Sequence, residues 1–187
     1  MLPRPTNSTD LRTRRRRPAL LIAMVGTLLA VTLTSCSLSK DQQPTSATQG
    51  NSVSGAGFTA QTVSGEPVKV PGGRPTVALF FSVECGGCGP TAKALDQVQA
   101  DDPTAANFVV VDVAAYETAS DIEGFLNGYD ANDLGYTIDK DGGLTADYEV
   151  TQLSTVLILD ADNNVTFRAI EPTADTIRTE LAKVTAS

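Results

Sequence analysis

Histidine and tryptophan are both absent from this chain of 187 residues, and cysteine occurs only three times. Without histidine there is no Ser-His-Asp catalytic set, and a zinc or copper site at Cys85 and Cys88 would lack further nitrogen or sulfur ligands. Basic residues are scarce after the N-terminus: six of the 14 lie in the first 17 residues, which leaves residues 36–187 with a net charge of −13. Such a surface repels nucleic acid, so we predict no nucleic-acid partner.

A hydrophobic run long enough to span a membrane is missing as well. The longest apolar stretch, residues 19–33, follows five arginines between positions 12 and 17. A basic segment followed by a short apolar one is typical of an export signal. The stretch ends in Leu-Thr-Ser-Cys at residues 33–36, which resembles the bacterial lipobox, whose cysteine becomes diacylated. We predict a signal peptide over residues 1–35 and an extracytoplasmic protein held to the cell membrane by lipid on Cys36; an uncleaved anchor is the alternative.

Composition divides the remainder into a tether and one domain. Residues 37–56 are rich in serine, threonine, glutamine and glycine and contain hardly an apolar side chain, which is typical of a flexible linker. About 130 residues follow, enough for one domain with an ordinary hydrophobic core. We predict a lipidated N-terminus and linker over residues 36–56 and a single domain over residues 57–187.

The order of apolar runs and turn residues predicts alternating strands and helices. Strands are expected at residues 58–63, 67–70, 76–83, 108–114, 136–138, 155–159 and 165–170, and helices from the cysteine pair to about residue 100, near 120–127, in a turn ending near 148, and at 175–184. The first two strands form an N-terminal β-hairpin. Alternation followed by a terminal hairpin and helix indicates an α/β fold with a mixed central sheet flanked by helices.

Cys85 and Cys88 stand between an apolar run at residues 77–81 and a helix-like stretch at residues 91–98. A strand that delivers two cysteines to the start of a helix makes a dithiol that is reactive and able to close again, because the helix N-terminus stabilises a thiolate. A purely structural bridge is the alternative, but it would close so small a loop that it restrains the unfolded chain little. The pair therefore indicates redox chemistry, with Cys85 before the helix and Cys88 one turn inside it.

Residues 80–90 (FFSVECGGCGP) and residues 148–160 (YEVTQLSTVLILD) resemble the TlpA/ResA branch of the thioredoxin superfamily, as does the order of elements over residues 58–184. The resemblance implies a thioredoxin-like α/β fold. It also implies the activity of that branch, whose members are membrane-tethered extracytoplasmic thiol-disulfide oxidoreductases. By the same resemblance, Cys85 is the exposed attacking thiol and Cys88 the buried resolving thiol.

Two positions differ from the family pattern. Glu84 stands where the family has tryptophan, and its carboxylate disfavours the thiolate of Cys85 and so raises the thiol pKa. Ser154, followed by Thr155, stands where the family places a cis-proline opposite the dithiol. A cis bond before a non-proline residue costs about 2.5–4 kcal/mol, so we predict a trans Leu153–Ser154 bond. The supporting site residues are Glu84, Gly86, Gly87, Ser154 and Thr155.

The chemistry indicated is thiol-disulfide exchange, with the Cys85–Cys88 disulfide as the redox centre and no metal or separate cofactor. Strong oxidases stabilise the attacking thiolate with positive charge, often a histidine between the cysteines, whereas this chain has two glycines there and Glu84 beside them. We therefore predict a reductase of disulfides in exported proteins, with apocytochrome c among the candidate clients, recharged by a membrane thiol transporter. A disulfide-forming oxidase and a non-catalytic thioredoxin-fold binding module are the alternatives.

Two further features bear on the chemistry. Leu79 occupies the place where thioredoxins carry a buried aspartate, so proton transfer from Cys88 would use water or Glu84. Residues 160–171 supply oxygen ligands at nearly the spacing of an EF-hand loop, but Val165 replaces the glycine needed at the sixth place. We predict a hairpin turn there and no calcium site.

Overall fold

Residues 53–186 are described by the structure, which is a computed structural model. The predicted signal peptide, the lipidation site Cys36 and the linker up to residue 52 lie outside the described residues. In chain order the elements are β1 (Phe58–Gln61), β2 (Pro67–Val70), β3 (Thr76–Phe81), α1 (Cys88–Asp101), β4 (Asn107–Asp112), α2 (Ala119–Gly128), β5 (Gly135–Ile138), α3 (Gly143–Asp147), β6 (Thr155–Leu159), β7 (Val165–Ile170) and α4 (Ala174–Thr185). The predicted strands and helices are thus all present. None of the helices in this range is long and apolar enough to cross a membrane.

The seven strands form one mixed sheet in the order β2-β1-β5-β4-β3-β6-β7. Strands β3, β4 and β5 are parallel, because a helix crosses over between each pair. Strand β6 is antiparallel to β3, and β7 is antiparallel to β6. The N-terminal hairpin joins the sheet through β1, where Gln61 lies opposite Tyr136 of β5. The predicted α/β fold with a mixed sheet and an N-terminal hairpin is confirmed.

Strand β3 is buried on both sides and contributes to two cores. Val77, Leu79 and Phe81 face the core formed with α1, α2 and α4. Ala78 and Phe80 face the core on the other side of the sheet. A strand covered on both faces is apolar throughout, which is why this one reads as a continuous hydrophobic run. Replacing Phe80 by alanine would cost about 3–5 kcal/mol, so the strand that leads to the cysteine pair is firmly held.

The folded part of the chain begins before the predicted boundary at residue 57. Residues 53–56 pack beside the turn between β6 and β7: the Asn163 side chain donates to the Gly55 carbonyl (2.7 Å), and the Tyr148 hydroxyl donates to the Ala56 carbonyl (3.3 Å). This turn lies at the end of β6, whereas the start of β6 lies near the cysteine pair. The chain therefore enters the domain at the end of the sheet remote from the dithiol.

Asp160 makes the hairpin turn between β6 and β7. Its Oδ1 atom accepts hydrogen bonds from the backbone amides of Asp162 (3.0 Å) and Asn164 (2.8 Å). The carboxylate at the first ligand position of the EF-hand-like stretch therefore stabilises a tight turn by accepting these backbone hydrogen bonds. The predicted hairpin turn is confirmed.

Candidate active site

The turn after β3 carries the cysteine pair to the first residue of α1. Cys85 and Cys88 form a disulfide with their Cα atoms 5.4 Å apart. The Cys85 amide donates to the Ser82 carbonyl (3.1 Å) and the Cys88 amide donates to the Cys85 carbonyl (3.2 Å), so two successive turns bend the segment. The predicted order of strand, cysteine pair and helix is confirmed.

The two cysteines differ in exposure. Cys88 is completely buried in the core that also contains Leu79 and Ala92, whereas Cys85 is partly exposed at the edge of that core. Cys88 is the first residue of α1 and follows the N-cap Gly87, so the expectation that it lies one turn inside the helix is wrong. Its burial comes instead from the packing of the whole first turn onto the sheet. This inequality fits an accessible attacking thiol and a shielded resolving thiol, roles that stay predictions.

The two-glycine spacer has one open and one crowded position. Gly86 faces open space, whereas a Cβ atom on Gly87 would overlap the carboxylate of Glu171. Glu171 follows β7, and its amide donates to the Ser154 carbonyl (2.9 Å), which directs the residue toward the cysteine segment. In the sequence, Glu171 stands out only as the last oxygen ligand of the EF-hand-like stretch at residues 160–171. Its place at the dithiol depends on the pairing of β7 with β6, which no local pattern encodes.

Ser154 lies against the start of α1, as expected for the position of the family's cis-proline. The bond from Leu153 to Ser154 is trans, as predicted, and the backbone of Ser154 is left-handed with φ 61°. Its side-chain oxygen lies 2.8 Å from the Thr91 hydroxyl and donates to the Gly87 carbonyl (3.3 Å). A buried hydroxyl therefore contacts the helix start, and Thr91 is a site residue that the sequence analysis misses.

The remaining contacts of this turn are internal. The Ser154 amide donates to the Phe80 carbonyl (2.9 Å), which ties the turn to β3. Thr155 begins β6, and its hydroxyl donates to the Gln152 carbonyl (2.7 Å). Thr155 therefore shapes the turn, whereas Ser154 makes the contact with the cysteine segment.

The surface around Cys85 is acidic. Glu84 is exposed beside it and accepts a hydrogen bond from the Tyr116 hydroxyl (3.1 Å). That hydrogen bond and the negative charge of Glu84 raise the pKa of Tyr116, whose side chain is 71% exposed. Glu171 adds a second carboxylate at the spacer, while Lys93 of α1 is held in a surface ion pair. Even so, no three metal-ligating side chains are grouped together within residues 53–186.

Two buried carboxyl groups lie beneath the turn before the cysteines. Glu117 is 3% exposed; its Oε1 atom accepts from the Ser82 hydroxyl (2.7 Å) and its Oε2 atom accepts from the Val83 amide (3.0 Å). Asp112 is fully buried, and its Oδ2 atom has no hydrogen-bond partner. Burial, with the charge of Glu117 as a further cause, raises the pKa of Asp112 to about 7.

Sequence reasoning misses both of these acids because it looks for one in β3. Leu79 does lie in the same core as Cys88, so β3 supplies no acid there. The signal lies in β4, where Asp112 follows four apolar residues, ends the strand and lies opposite Phe81 in the parallel pairing. Since the carboxyl ends of parallel strands meet at one edge of the sheet, such an acid arrives beside the turn that follows β3.

The chain is similar to known proteins in both sequence and structure. No family model matches this chain. The chain is 39% identical over 142 residues to mercury resistance operon ORF3 of Streptomyces lividans, covering 74% of this chain and 75% of that protein. It is 32% identical over 127 residues to the soluble secreted antigen MPT53 of Mycobacterium tuberculosis, covering 67% of this chain and 70% of the antigen. A solved structure of a secreted Mycobacterium tuberculosis disulfide oxidoreductase homologous to E. coli DsbE aligns with a TM-score of 0.54 and 26% identity, over 67% of this chain and 95% of that one.

These similarities agree with the geometry of the site. The aligned structure is that of a disulfide oxidoreductase, and here a disulfide joins the two cysteines at the strand-to-helix turn of the same fold. The predicted thioredoxin-like fold is confirmed, whereas the assignment to the TlpA/ResA branch stays a prediction. The chain belongs to the family that includes MPT53 and the Streptomyces ORF3 protein, with a thioredoxin-like fold of the thiol-disulfide oxidoreductase type.

Proposed function

We propose that this protein is an extracytoplasmic thiol-disulfide oxidoreductase, tethered to the cell membrane through Cys36, that reduces disulfides in exported proteins. The observation that carries the proposal is the unequal pair at the start of α1, where Cys85 is partly exposed and Cys88 is fully buried. A disulfide in a large client protein has to reach only the sulfur of Cys85. The shielded sulfur is then kept for the second step.

The reaction balances as a two-electron exchange. The thiolate of Cys85 attacks one sulfur of a client disulfide, forms a mixed disulfide and displaces the first client thiolate. Cys88 then loses its proton and attacks the sulfur of Cys85, which closes the protein disulfide and releases the second client thiolate. Two protons complete the client dithiol, so the client gains the two electrons that the protein loses. A membrane thiol transporter would return the protein to its dithiol form.

The acidic surface supports reduction rather than oxidation. Glu84 and Glu171 place two carboxylates at the cysteine segment, and the chain contains no histidine to offset them. Negative charge disfavours the thiolate of Cys85, and a dithiol whose thiolate is weakly stabilised gives up its electrons more readily. Apocytochrome c is one client to test. The opposite direction is the second candidate, because the free amides at the start of α1 favour a thiolate.

Location and anchoring are supported by two observations. The Mycobacterium antigen and the aligned oxidoreductase are both described as secreted. Residues 1–36 follow the order of a basic segment, an apolar segment and a cysteine, as in a lipoprotein signal. An anchor on Cys36 would reach the domain through residue 53, at the end of the sheet opposite the cysteine pair.

A redox titration of the full-length protein separates the candidates. The protein is equilibrated in glutathione buffers of known potential, and the state of Cys85 and Cys88 is read by mass spectrometry after alkylation. A reductase predicts reversible titration with a potential closer to the roughly −270 mV of thioredoxin than to the roughly −120 mV of the oxidase DsbA. A non-catalytic binding module, the alternative raised by Ser154 in place of proline, predicts no reversible change.

A further inference from the structure

The turn that presents Cys85 is held by a buried carboxylate. Glu117, in the loop between β4 and α2, accepts hydrogen bonds from the Ser82 hydroxyl (2.7 Å) and the Val83 amide (3.0 Å). The Ser82 carbonyl in turn accepts from the Cys85 amide (3.1 Å). Hydrogen bonds therefore lead from Glu117 through the turn to the attacking residue, and a change at Glu117 reaches the geometry of the thiol.

Asp112 is a buried carboxyl group with one oxygen that has no partner. Its Oδ1 atom accepts from the Ala114 amide (2.9 Å), whereas its Oδ2 atom is buried without a donor. A charged oxygen left in that position is costly, and a proton on it would let Asp112 donate toward Glu117, the acid whose negative charge raises the pKa of Asp112. Glu117 already accepts hydrogen bonds from two donors, whereas Asp112 Oδ2 has none, so the proton is placed on Asp112.

The charged groups on the β5 side of the pair do not replace that proton. Asp139 donates its amide to the Asp112 carbonyl (2.8 Å), but its own carboxylate accepts from the Thr145 amide (2.8 Å) at the start of α3. Lys140 directs its ammonium group to two backbone carbonyls of the loop, those of Ala115 (3.1 Å) and Glu117 (3.2 Å). The positive charge of Lys140 lowers the pKa of Asp112, yet this effect is smaller than that of burial.

On the solvent side, the Tyr116 hydroxyl donates to Glu84 (3.1 Å), so its proton is not shared with the pair. Burial, with the charge of Glu117 as a further cause, raises the pKa of Asp112 to about 7. The shared proton is therefore lost close to neutral pH. Two buried carboxylates then face each other, and their repulsion acts against the two hydrogen bonds that Glu117 accepts.

We propose that Asp112 and Glu117 are positioning residues for Cys85: the pair holds the preceding turn while it shares one proton, and the turn loosens when that proton is lost. The inference rests on the proposed function, because it concerns the rate of thiol-disulfide exchange. Ionisation of a free thiol makes its attack faster as pH rises. Here the rate of attack by Cys85 first rises with pH and then falls once the carboxyl pair has lost its proton.

The test follows the attack of the reduced full-length protein on a small aromatic disulfide, through release of the coloured thiolate, from pH 5 to pH 10. Asp112→Asn keeps a neutral donor toward Glu117 and cannot ionise. We expect a maximum near neutral pH in the wild type and a rise to a plateau in the variant. At pH 8 about one tenth of the wild-type pairs retain the proton, so the variant should be faster by up to about tenfold. Glu66→Gln, which removes an exposed carboxylate from the β1–β2 turn, is the control and should follow the wild type.

Coincident profiles for the wild type and Asp112→Asn would overturn the proposal. So would plateaus of equal height with shifted midpoints, because Asp112 would then act on Cys85 through its charge alone. If Asp112→Asn does not fold, carbon-13 NMR of the wild type decides: a carboxyl group must titrate near pH 7 together with the Val83 amide, and the absence of either change overturns the proposal.

Reduction of insulin disulfides by the same samples tests the proposed function separately. A changed pH profile without insulin reduction would remove the reductase function and leave the positioning pair intact. Insulin reduction with unchanged profiles would remove the positioning pair and leave the reductase function intact.

Discussion

The hydroxyl oxygens of Ser154 and Thr91 lie 2.8 Å apart, and both lie within hydrogen-bond distance of the Gly87 carbonyl between the two cysteines (3.3 Å and 3.0 Å). This contact joins the turn before β6 to the first turn of α1. The resemblance to the TlpA/ResA branch leads one to expect a proline ring at the same place. The chain has a buried polar contact there instead. This contact favours the observed arrangement over others, because a buried hydroxyl without a partner costs about 1–3 kcal/mol.

Replacing Ser154 by proline is expected to destabilise the protein. The backbone at Ser154 has φ 61°, whereas proline requires about −65°, and proline lacks the amide that donates to the Phe80 carbonyl (2.9 Å). We expect the free energy of unfolding, measured with urea, to fall by about 3 kcal/mol or more. Ser154→Gly is the control, since glycine accepts this backbone and keeps the amide. Equal stability of the two variants would contradict this account.

The two cysteines are expected to differ in trapping experiments. Cys88→Ser should accumulate mixed disulfides between clients and Cys85, because the resolving step is removed. Cys85→Ser should abolish trapping and turnover, because Cys88 is fully buried. Nonreducing gels and mass spectrometry measure the trapped species.

The rate of alkylation of the reduced protein, measured against pH, should give Cys85 a thiol pKa below the ~8.5 of a free thiol and above the ~3.5 of the strongest oxidases. Faster alkylation of Cys88 would reverse the assigned roles.

Local sequence patterns explain why the elements and the dithiol could be predicted. The apolar run of β3 and the two cysteines at the start of α1 are contiguous in sequence, and they stay contiguous in the fold. Even the trans bond before Ser154 follows from a local rule, the high cost of a cis bond before any residue other than proline. Where the chemistry depends on neighbours in the chain, sequence reasoning succeeds.

The surroundings of the dithiol depend instead on pairing between distant segments. Glu171 reaches the spacer from the end of β7, and Tyr116 reaches Glu84 from the loop after β4. Glu117 lies in the same loop but turns inward, and nothing in its neighbouring residues distinguishes it from an acid on the surface. Only Asp112 carries a usable signal, as a carboxyl group that ends a buried strand parallel to β3.

Removing the exposed carboxylates is expected to make the thiol of Cys85 more acidic. A single charge in a solvent-exposed setting shifts a neighbouring pKa by about half a unit, so Glu84→Gln and Glu171→Gln should each lower the thiol pKa by about that amount. The reduction potential should become less negative in the double variant. Glu66→Gln is the control, and added salt should diminish the differences. An unchanged pKa in the double variant would leave the preference for reduction without its electrostatic basis.

Anchoring through Cys36 makes a cellular prediction. Cys36→Ala removes the acylated side chain, so the variant should be released from the membrane or persist as an unprocessed precursor. Fractionation and the mass of the mature N-terminus measure both outcomes, and Cys85→Ala should remain anchored as a control. Unchanged processing and membrane retention in Cys36→Ala, with no lipid on the wild-type protein, would remove the lipoprotein assignment.

The buried carboxyl of Asp112 is expected to make the folded protein less stable as the pH rises. Its pKa is about 7 in the fold against an ordinary value of 3.8, so between these values the folded state binds one proton more than the unfolded state. The free energy of unfolding should therefore fall by up to about 1.4 kcal/mol per pH unit in that window. Below about pH 4 both states are protonated, and above about pH 7 both are ionised, so this contribution is constant outside the window.

Asp112→Asn removes this titrating group, so comparison with the wild type isolates its contribution to the free energy of unfolding. The stability of the variant relative to the wild type, measured with urea while the disulfide stays closed, should grow between pH 4 and pH 7 and then level off. Glu66→Gln should run parallel to the wild type over the same range, since its carboxylate is exposed in the β1–β2 turn. Parallel curves for Asp112→Asn as well would show that Asp112 ionises normally in the fold, and the proton that it is proposed to share with Glu117 would have no support.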